Sequence, residues 1–240
     1  MAAPASPFHY EQRRLENDFV ALELFDVDKY AARFVEGVVA HPEMFAYLSF
    51  PLMNTVDDFL NEVYNGIAAS PADCLYAVID KTKNTDSVED SFAGVVSLND
   101  TSKEFASTEL GILLFPKFHR SHVASNAIGL SLLYLLDPPS QGGLGLRRVL
   151  WQANVKNEPS RRLASRMGFE LEGVLRWRRT LPPIRACQEG QGEDASKLAA
   201  RNGTRPEDEP QGRHTAVYSL VWDEWDEKRP GVVALMVVRK

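Results

Sequence analysis

The segment most able to do chemistry is Glu109-Leu-Gly-Ile-Leu-Leu-Phe-Pro-Lys-Phe-His-Arg120-Ser-His-Val-Ala-Ser125-Asn126. A strand pattern runs into a short turn, and the turn opens a long helix pattern. Arg120 and His122 lie at the turn, with Ser121, Val123, Ala124, Ser125 and Asn126 at the helix start. The first N–H groups of a helix have no intrahelical acceptor and carry the positive end of its dipole. Small side chains let an anion approach them, and an arginine adds charge-assisted hydrogen bonds. Most helix starts hold no ligand, so this pattern alone leaves an anion site and an ordinary helix start both open.

A second segment is Asn154-Val-Lys-Asn157-Glu-Pro-Ser160-Arg-Arg-Leu-Ala-Ser-Arg-Met-Gly168-Phe169. Asn157 suits an N-cap, Pro159 the first turn and Gly168 the C-cap. Ser160 lies one turn into the helix on the same face as Asn157. Each also has a plain structural reading: a capping amide and a surface hydroxyl.

In this order the two segments resemble the GCN5-related N-acetyltransferase (GNAT) superfamily, and within it the RimJ/RimL branch. The cofactor-turn signature, Arg/Gln-x-x-Gly-x-Gly/Ala, aligns with Arg120 to Ser125. The later Asn-x-x-Ser signature with Gly-Phe beyond it matches Asn157, Ser160, Gly168 and Phe169. Glu172 to Arg176 and Val217 to Trp225 are also similar, and the likeness spans roughly 19–225. Val123 stands where the family has Gly, a branched side chain expected to bring bulk toward the pyrophosphate. Ser125 stands in place of Gly or Ala, Ala164 in place of a Tyr acid, and His214 near a usual Asp.

The resemblance implies an α+β protein of α/β/α layers. A mixed, mostly antiparallel twisted sheet of about seven strands, with splayed fourth and fifth strands, is flanked by helices. It implies acetyl-CoA as acyl donor. Ile112, Leu113 and Leu114 would hold its pantetheine arm, the N–H groups of 121–126 its pyrophosphate, and Asn157 and Ser160 the reacting end. An amine of a small molecule or a protein N-terminus would attack the thioester directly. An N–H near Leu113 would steady the oxyanion. Glu109 is the candidate base, with Asn99 and Asp100 placed to orient a water and Glu172 a further carboxylate. Ser160 is the candidate acid, and Tyr218 reads as a core residue, with lining of the gap the alternative. The alternative is a GNAT-fold acyl-CoA-binding or regulatory protein with little or no turnover. A third reading, an unrelated α+β domain, must treat both signatures as coincidence.

The elements that would position these groups follow from local pattern. Strands are expected at 19–24, 75–79, 92–98, 108–114, 148–153, 169–177 and 214–222. Helices are expected after Asp28, after Thr55, over 121–136 and over 158–167. Residues 80–91 read as a hairpin loop. Residues 1–18 read as a flexible leader and 19–240 as a single domain. A polar stretch at 182–213, rich in Gly, Glu, Asp, Arg and Gln, has too few large apolar residues to order itself.

The 240 residues suit one buried domain, with 44% hydrophobic and 25% charged residues. A net charge of −6 gives no indication of a nucleic-acid surface and slightly favours cationic acceptors by steering. No apolar run reaches the roughly 20 residues of a membrane helix, and Val232 to Val238 reads as a segment packed on the domain. No signal peptide pattern is present, and the two cysteines, Cys74 and Cys187, form no C-x-x-C pair, so a reducing, cytoplasmic setting is expected. His41, His119, His122 and His214 lack metal-ligand spacing, so no metal is expected.

Overall fold

Residues 7–83, 87–183 and 192–237 are described by a computed structural model of the chain. Alternating apolar runs form β1 (Leu15–Glu16), β2 (Val20–Leu24), β3 (Cys74–Asp80), β4 (Phe92–Ser102), β5 (Ser107–Leu114), β6 (Arg148–Asn154), β7 (Glu170–Pro183) and β8 (Pro210–Val221). They join in one eight-stranded sheet of order β1-β2-β3-β4-β5-β6-β8-β7. Every pair is antiparallel except β5 with β6. This is the mixed α+β sheet expected, with one strand more.

The extra strand lies where a flexible leader was expected. From residue 7 onward that reading is corrected. Phe8 and Leu15, in an otherwise polar run of sequence, are buried in the hydrophobic core. The His9 N–H donates to the Pro71 carbonyl at 2.8 Å, and Lys81 Nζ donates to the Asn17 carbonyl at 2.7 Å. Two apolar anchors are enough to hold a segment whose composition is otherwise that of a tail.

Asp26, not Asp28, caps α1 (Val27–Ala40), accepting from the N–H groups of Asp28 and Lys29. Thr55 and Asp58 form a reciprocal capping box on α2 (Val56–Phe59). A π-helical turn over Leu60–Tyr64 then breaks the single helix expected there before α3 (Asn65–Ala69). Part of the expected 80–91 loop is helical, as α4 (Val88–Ser91).

Helix α5 (Val123–Leu136) starts two residues later than its sequence pattern suggested, and most of its length is buried. Its all-round apolar surface marks a central helix. It packs between the sheet and α8 (Trp222–Leu235). Asp137, just past α5, accepts from Trp225 Nε1 at 2.7 Å and from Arg229 Nε and Nη2 at 2.8 and 2.9 Å. Helix α6 (Glu158–Arg166) lies against β6 and β7. Trp222 opens α8 and does not extend β8.

The polar stretch also differs from expectation. Residues 184–191 lie outside the described residues. Beyond them, Ala195 and Ala199 are buried by α7 (Ser196–Asn202), which ends at Gly203 with φ of 71°. Glu209 accepts from Asn202 Nδ2 at 3.0 Å and from the Thr204 hydroxyl. Small residues and paired polar groups do here what large apolar side chains do elsewhere. Strands β7 and β8 run further into the stretch than expected, to Pro183 and from Pro210.

Candidate active site

Strands β5 and β6 share only three residue pairs: Ser107 with Arg148, Thr108 with Val149 and Glu109 with Leu150. Beyond Glu109 they part. On the other side β5 stays paired with β4 as far as Leu114. The Phe115 N–H donates to the Ala93 carbonyl at 2.9 Å, which marks this pair as hydrogen-bonded. Antiparallel alternation then turns the backbone groups of Leu113 toward β4, and those of Ile112 and Leu114 toward the gap. Of the three residues expected to hold an extended ligand, Ile112 and Leu114 face it and Leu113 does not. The Leu113 N–H is therefore not a donor to the gap. His119 Nε2 lies 2.8 Å from the Leu114 carbonyl, so a carbonyl partner makes that nitrogen the donor and occupies the Leu114 oxygen.

The turn after β5 leads directly into the start of α5. Arg120 is exposed and left-handed at φ 56°. For a non-glycine residue that conformation costs about 1–2 kcal/mol and signals a constrained turn. The Ser121 hydroxyl donates to the Phe118 carbonyl at 2.6 Å and accepts the Val123 N–H at 3.2 Å. The Asn126 N–H closes the first helical bond, to the His122 carbonyl at 3.1 Å. The N–H groups of Ala124 and Ser125 precede it and have no intrahelical acceptor.

Three sequence readings at this turn change. Val123 is fully buried in the core, so its bulk is directed away from the anion side. Asn126 is also fully buried. Its amide oxygen accepts from Asn17 Nδ2 at 2.7 Å, and its Nδ2 donates to the His122 carbonyl at 2.8 Å. It ties the helix to the segment before β2 and presents nothing to a ligand. The His122 ring is held 3.2 Å from Asp80 Oδ1. Sequence reasoning missed Arg166, which ends α6 and reaches Ser125 Oγ at 3.4 Å. Its place in the basic run of α6 was the available signal.

Alternation on β6 sorts the remaining groups onto two faces. Trp151 is buried and its Nε1–H donates to Ser160 Oγ at 3.0 Å. An indole nitrogen can only donate, so Ser160 accepts there and keeps its own proton for another acceptor. Asn157 Oδ1 accepts the Ser160 N–H at 3.1 Å, which confirms the expected cap and fixes the hydroxyl at the first turn of α6. Tyr218 is buried beside it and accepts from Arg161 Nε at 3.1 Å. Ala164 is fully buried.

On the opposite face, Gln152 Nε2 donates to Glu109 Oε2 at 2.6 Å. The Glu109 carboxyl is raised above the ordinary glutamate range. Burial is the main cause, Asp100 adds to it, and the positive charges of Arg179, Arg213 and Arg178 oppose it. A carboxylate of raised pKa is a better proton acceptor near neutrality. Asn99 donates to Ser97 Oγ at 2.9 Å. Glu172 is bound by Arg148 through two contacts of 2.6 Å and accepts from Ser219 at 2.8 Å. Hydrogen bonding from Arg148 is the first cause of its lowered pKa, so Glu172 is a structural anchor and a poor base. A closed ladder would separate the faces bearing Glu109 and Ser160. Beyond Glu109 and Leu150 that ladder is open.

A family model described as an acetyltransferase (GNAT) domain matches residues 20–170. The chain belongs to the GNAT acetyltransferase family. Solved structures agree on the GNAT fold. A GCN5-related N-acetyltransferase from Brucella melitensis superposes with a TM-score of 0.71 at 23% identity, covering 95% of this chain and 87% of that one. RimJ from Mycobacterium smegmatis, in complex with CoA-disulfide, gives 0.64 at 14%, covering 92% of each chain. Spermidine N-acetyltransferase from Vibrio cholerae, in complex with CoA and spermine, gives 0.60 at 16%, covering 87% of this chain and 99% of that one. At these identities the likeness is one of fold. No curated protein sequence matches the chain. Among the described residues no metal-binding cluster occurs, and no helix is long and apolar enough to cross a membrane.

Proposed function

We propose that this GNAT protein is an N-acetyltransferase of the RimJ/RimL type, moving an acetyl group from acetyl-CoA to an amine by direct attack. The single observation that carries the reading is the parting of β5 from β6 beside the open start of α5. The chain fits the donor: the backbone groups of Ile112 and the N–H of Leu114 face the gap and suit an extended amide-bearing arm, as an added strand would use them. Arg120, Arg166 and the N–H groups of Ala124 and Ser125 suit a pyrophosphate. When bound, acetyl-CoA supplies an activated thioester.

The residues of the chain then divide the proton work. An ammonium has no lone pair, so Glu109 must take a proton from the acceptor amine before attack. The gap-facing Ile112 backbone N–H suits the developing oxyanion. Ser160, its oxygen held by Trp151, gives its proton to the leaving sulfur. Ser160→Ala is expected to lower kcat by about 10²-fold. It should also cost about 1 kcal/mol of stability, because the Trp151 N–H loses its acceptor. Pre-steady-state thiol release and a denaturant titration separate the two effects.

The direct test is a thermal shift with acetyl-CoA, followed by thiol release with a broad amine panel. A raised melting midpoint with release on at least one amine is expected. Binding without release on any amine would favour the acyl-CoA-binding alternative, and no binding would sink both. Arg166→Glu places a negative charge beside the helix start and should weaken acetyl-CoA binding about tenfold or more at low salt, with less effect at high salt. Unchanged affinity in a calorimetric titration would remove Arg166 from the site.

A further inference from the structure

Three of the buried polar atoms that lack a hydrogen-bond partner are Gln152 Oε1, Arg213 Nε and Thr215 Oγ1. They share one face. On β8 and β6, Val217 stands opposite Gln152 and Thr215 opposite Asn154, and Arg213 precedes Thr215 by two residues. That face is the one from which Gln152 reaches Glu109. Arg213 is only 7% exposed and stands opposite Arg179 on β7. It forms no ion pair with Glu109 or any other acid among the described residues. Burial, with Arg179 beside it, lowers the pKa of its guanidinium, and only Glu109 opposes this. Two arginines paired across strands, one of them buried without an acceptor among the described residues, suit an anion.

We infer that the acceptor carries, besides its amine, an oxyanion (a carboxylate or a phosphate) that Arg213 receives with Arg179 at the rim. This rests on the acetyltransferase reading above and narrows its substrate class. The buried guanidinium supplies a forked, charge-assisted contact, which suits a planar carboxylate or a phosphate better than a neutral group. Thr215 and the Gln152 carbonyl complete the polar wall, and the Gln152 oxygen is a natural acceptor for the amine. The net charge of −6 points the other way, toward cationic acceptors, but it is a whole-chain quantity. The local field at this face is positive.

Thiol release by the intact protein should be compared across matched amines. α-Amino acids are set against their amides, and aminoalkyl phosphates against the corresponding amino alcohols. The anionic member of a pair should be preferred, and the preferred pair identifies the oxyanion. Arg213→Gln should raise KM for that acceptor by about 10- to 100-fold, with acetyl-CoA affinity unchanged. Arg179→Gln, at an exposed position, should act in the same direction more weakly and guards against a folding defect in the first variant. Equal turnover of neutral and anionic members by the wild type overturns the proposal. So does an Arg213→Gln effect confined to the pH profile, equal for all amines, which would make Arg213 a mere electrostatic neighbour of Glu109. If no amine is acetylated although acetyl-CoA binds, the catalytic reading fails. Calorimetric binding of the same amines then decides the oxyanion claim, and failure of both anionic classes to bind sinks it.

Discussion

Glu109→Gln is expected to lower kcat/KM by about 10²- to 10⁴-fold while leaving the melting midpoint equal or higher. The two effects have opposite signs for one reason. Burial holds the Glu109 carboxyl above its ordinary value of 4.5. A group raised in the folded state contributes stability that is full below the unfolded pKa and lost as pH rises through the folded pKa. Once ionised, the wild-type side chain is therefore a desolvated carboxylate whose cost glutamine removes. The glutamine carbonyl still accepts from Gln152, which sits 2.6 Å from the carboxylate. The same shift places the acid limb of the wild-type kcat/KM profile above the usual glutamate range, and that limb should vanish in the variant. A variant retaining full activity, or one that melts well below the wild type, would remove Glu109 from the role of base.

Asp137→Ala is expected to cost about 3 kcal/mol. Asp137 is 5% exposed and holds Trp225 and Arg229 at once. It thereby ties α8 to the end of α5. Burial alone would raise its pKa, but the hydrogen bonds from Arg229 and Trp225 outweigh this and lower it. Its contribution is thus present above the unfolded pKa and lost as pH falls through the depressed folded value. Denaturant midpoints of wild type and variant should diverge at neutral pH and converge in acid. Asp137→Asn keeps an acceptor for Trp225 but not the charge facing Arg229, so its loss should be intermediate.

The core of the fold was legible because its signals are local. Alternation marked β5, helical spacing marked α5, and Asn157 and Gly168 marked the ends of α6. What escaped depends on partners distant in sequence. Phe8 and Leu15 sit in a run that reads as a tail, and only the distant core they join, β2 and α5 in the case of β1, gives them somewhere to go. Ala195 and Ala199 are too small to register as core, so the ordered part of the polar stretch passed as loop, and Arg213 was lost with it. The backbone face of β5 that meets the gap is a matter of one residue of register. Pattern alone included Leu113 where only Ile112 and Leu114 face outward. Val123 was judged by its type, whereas its side chain points inward and only its backbone lies at the turn.

The three residue pairs between β5 and β6 are also a waist. They join two sub-sheets, β1 to β5 and β6 to β8, each of which carries part of the proposed site. A ligand lying between the parted strands would serve as a missing rung, so its affinity is also mechanical cohesion. At a concentration a hundred times its Kd such a ligand adds about 2.7 kcal/mol to the folded state, a large share of what holds most domains together. The free protein should therefore breathe along this seam, with amide exchange in β6 faster than in β4. Occupancy should quench that exchange, making the sheet itself the gauge of whether the substrate is aboard.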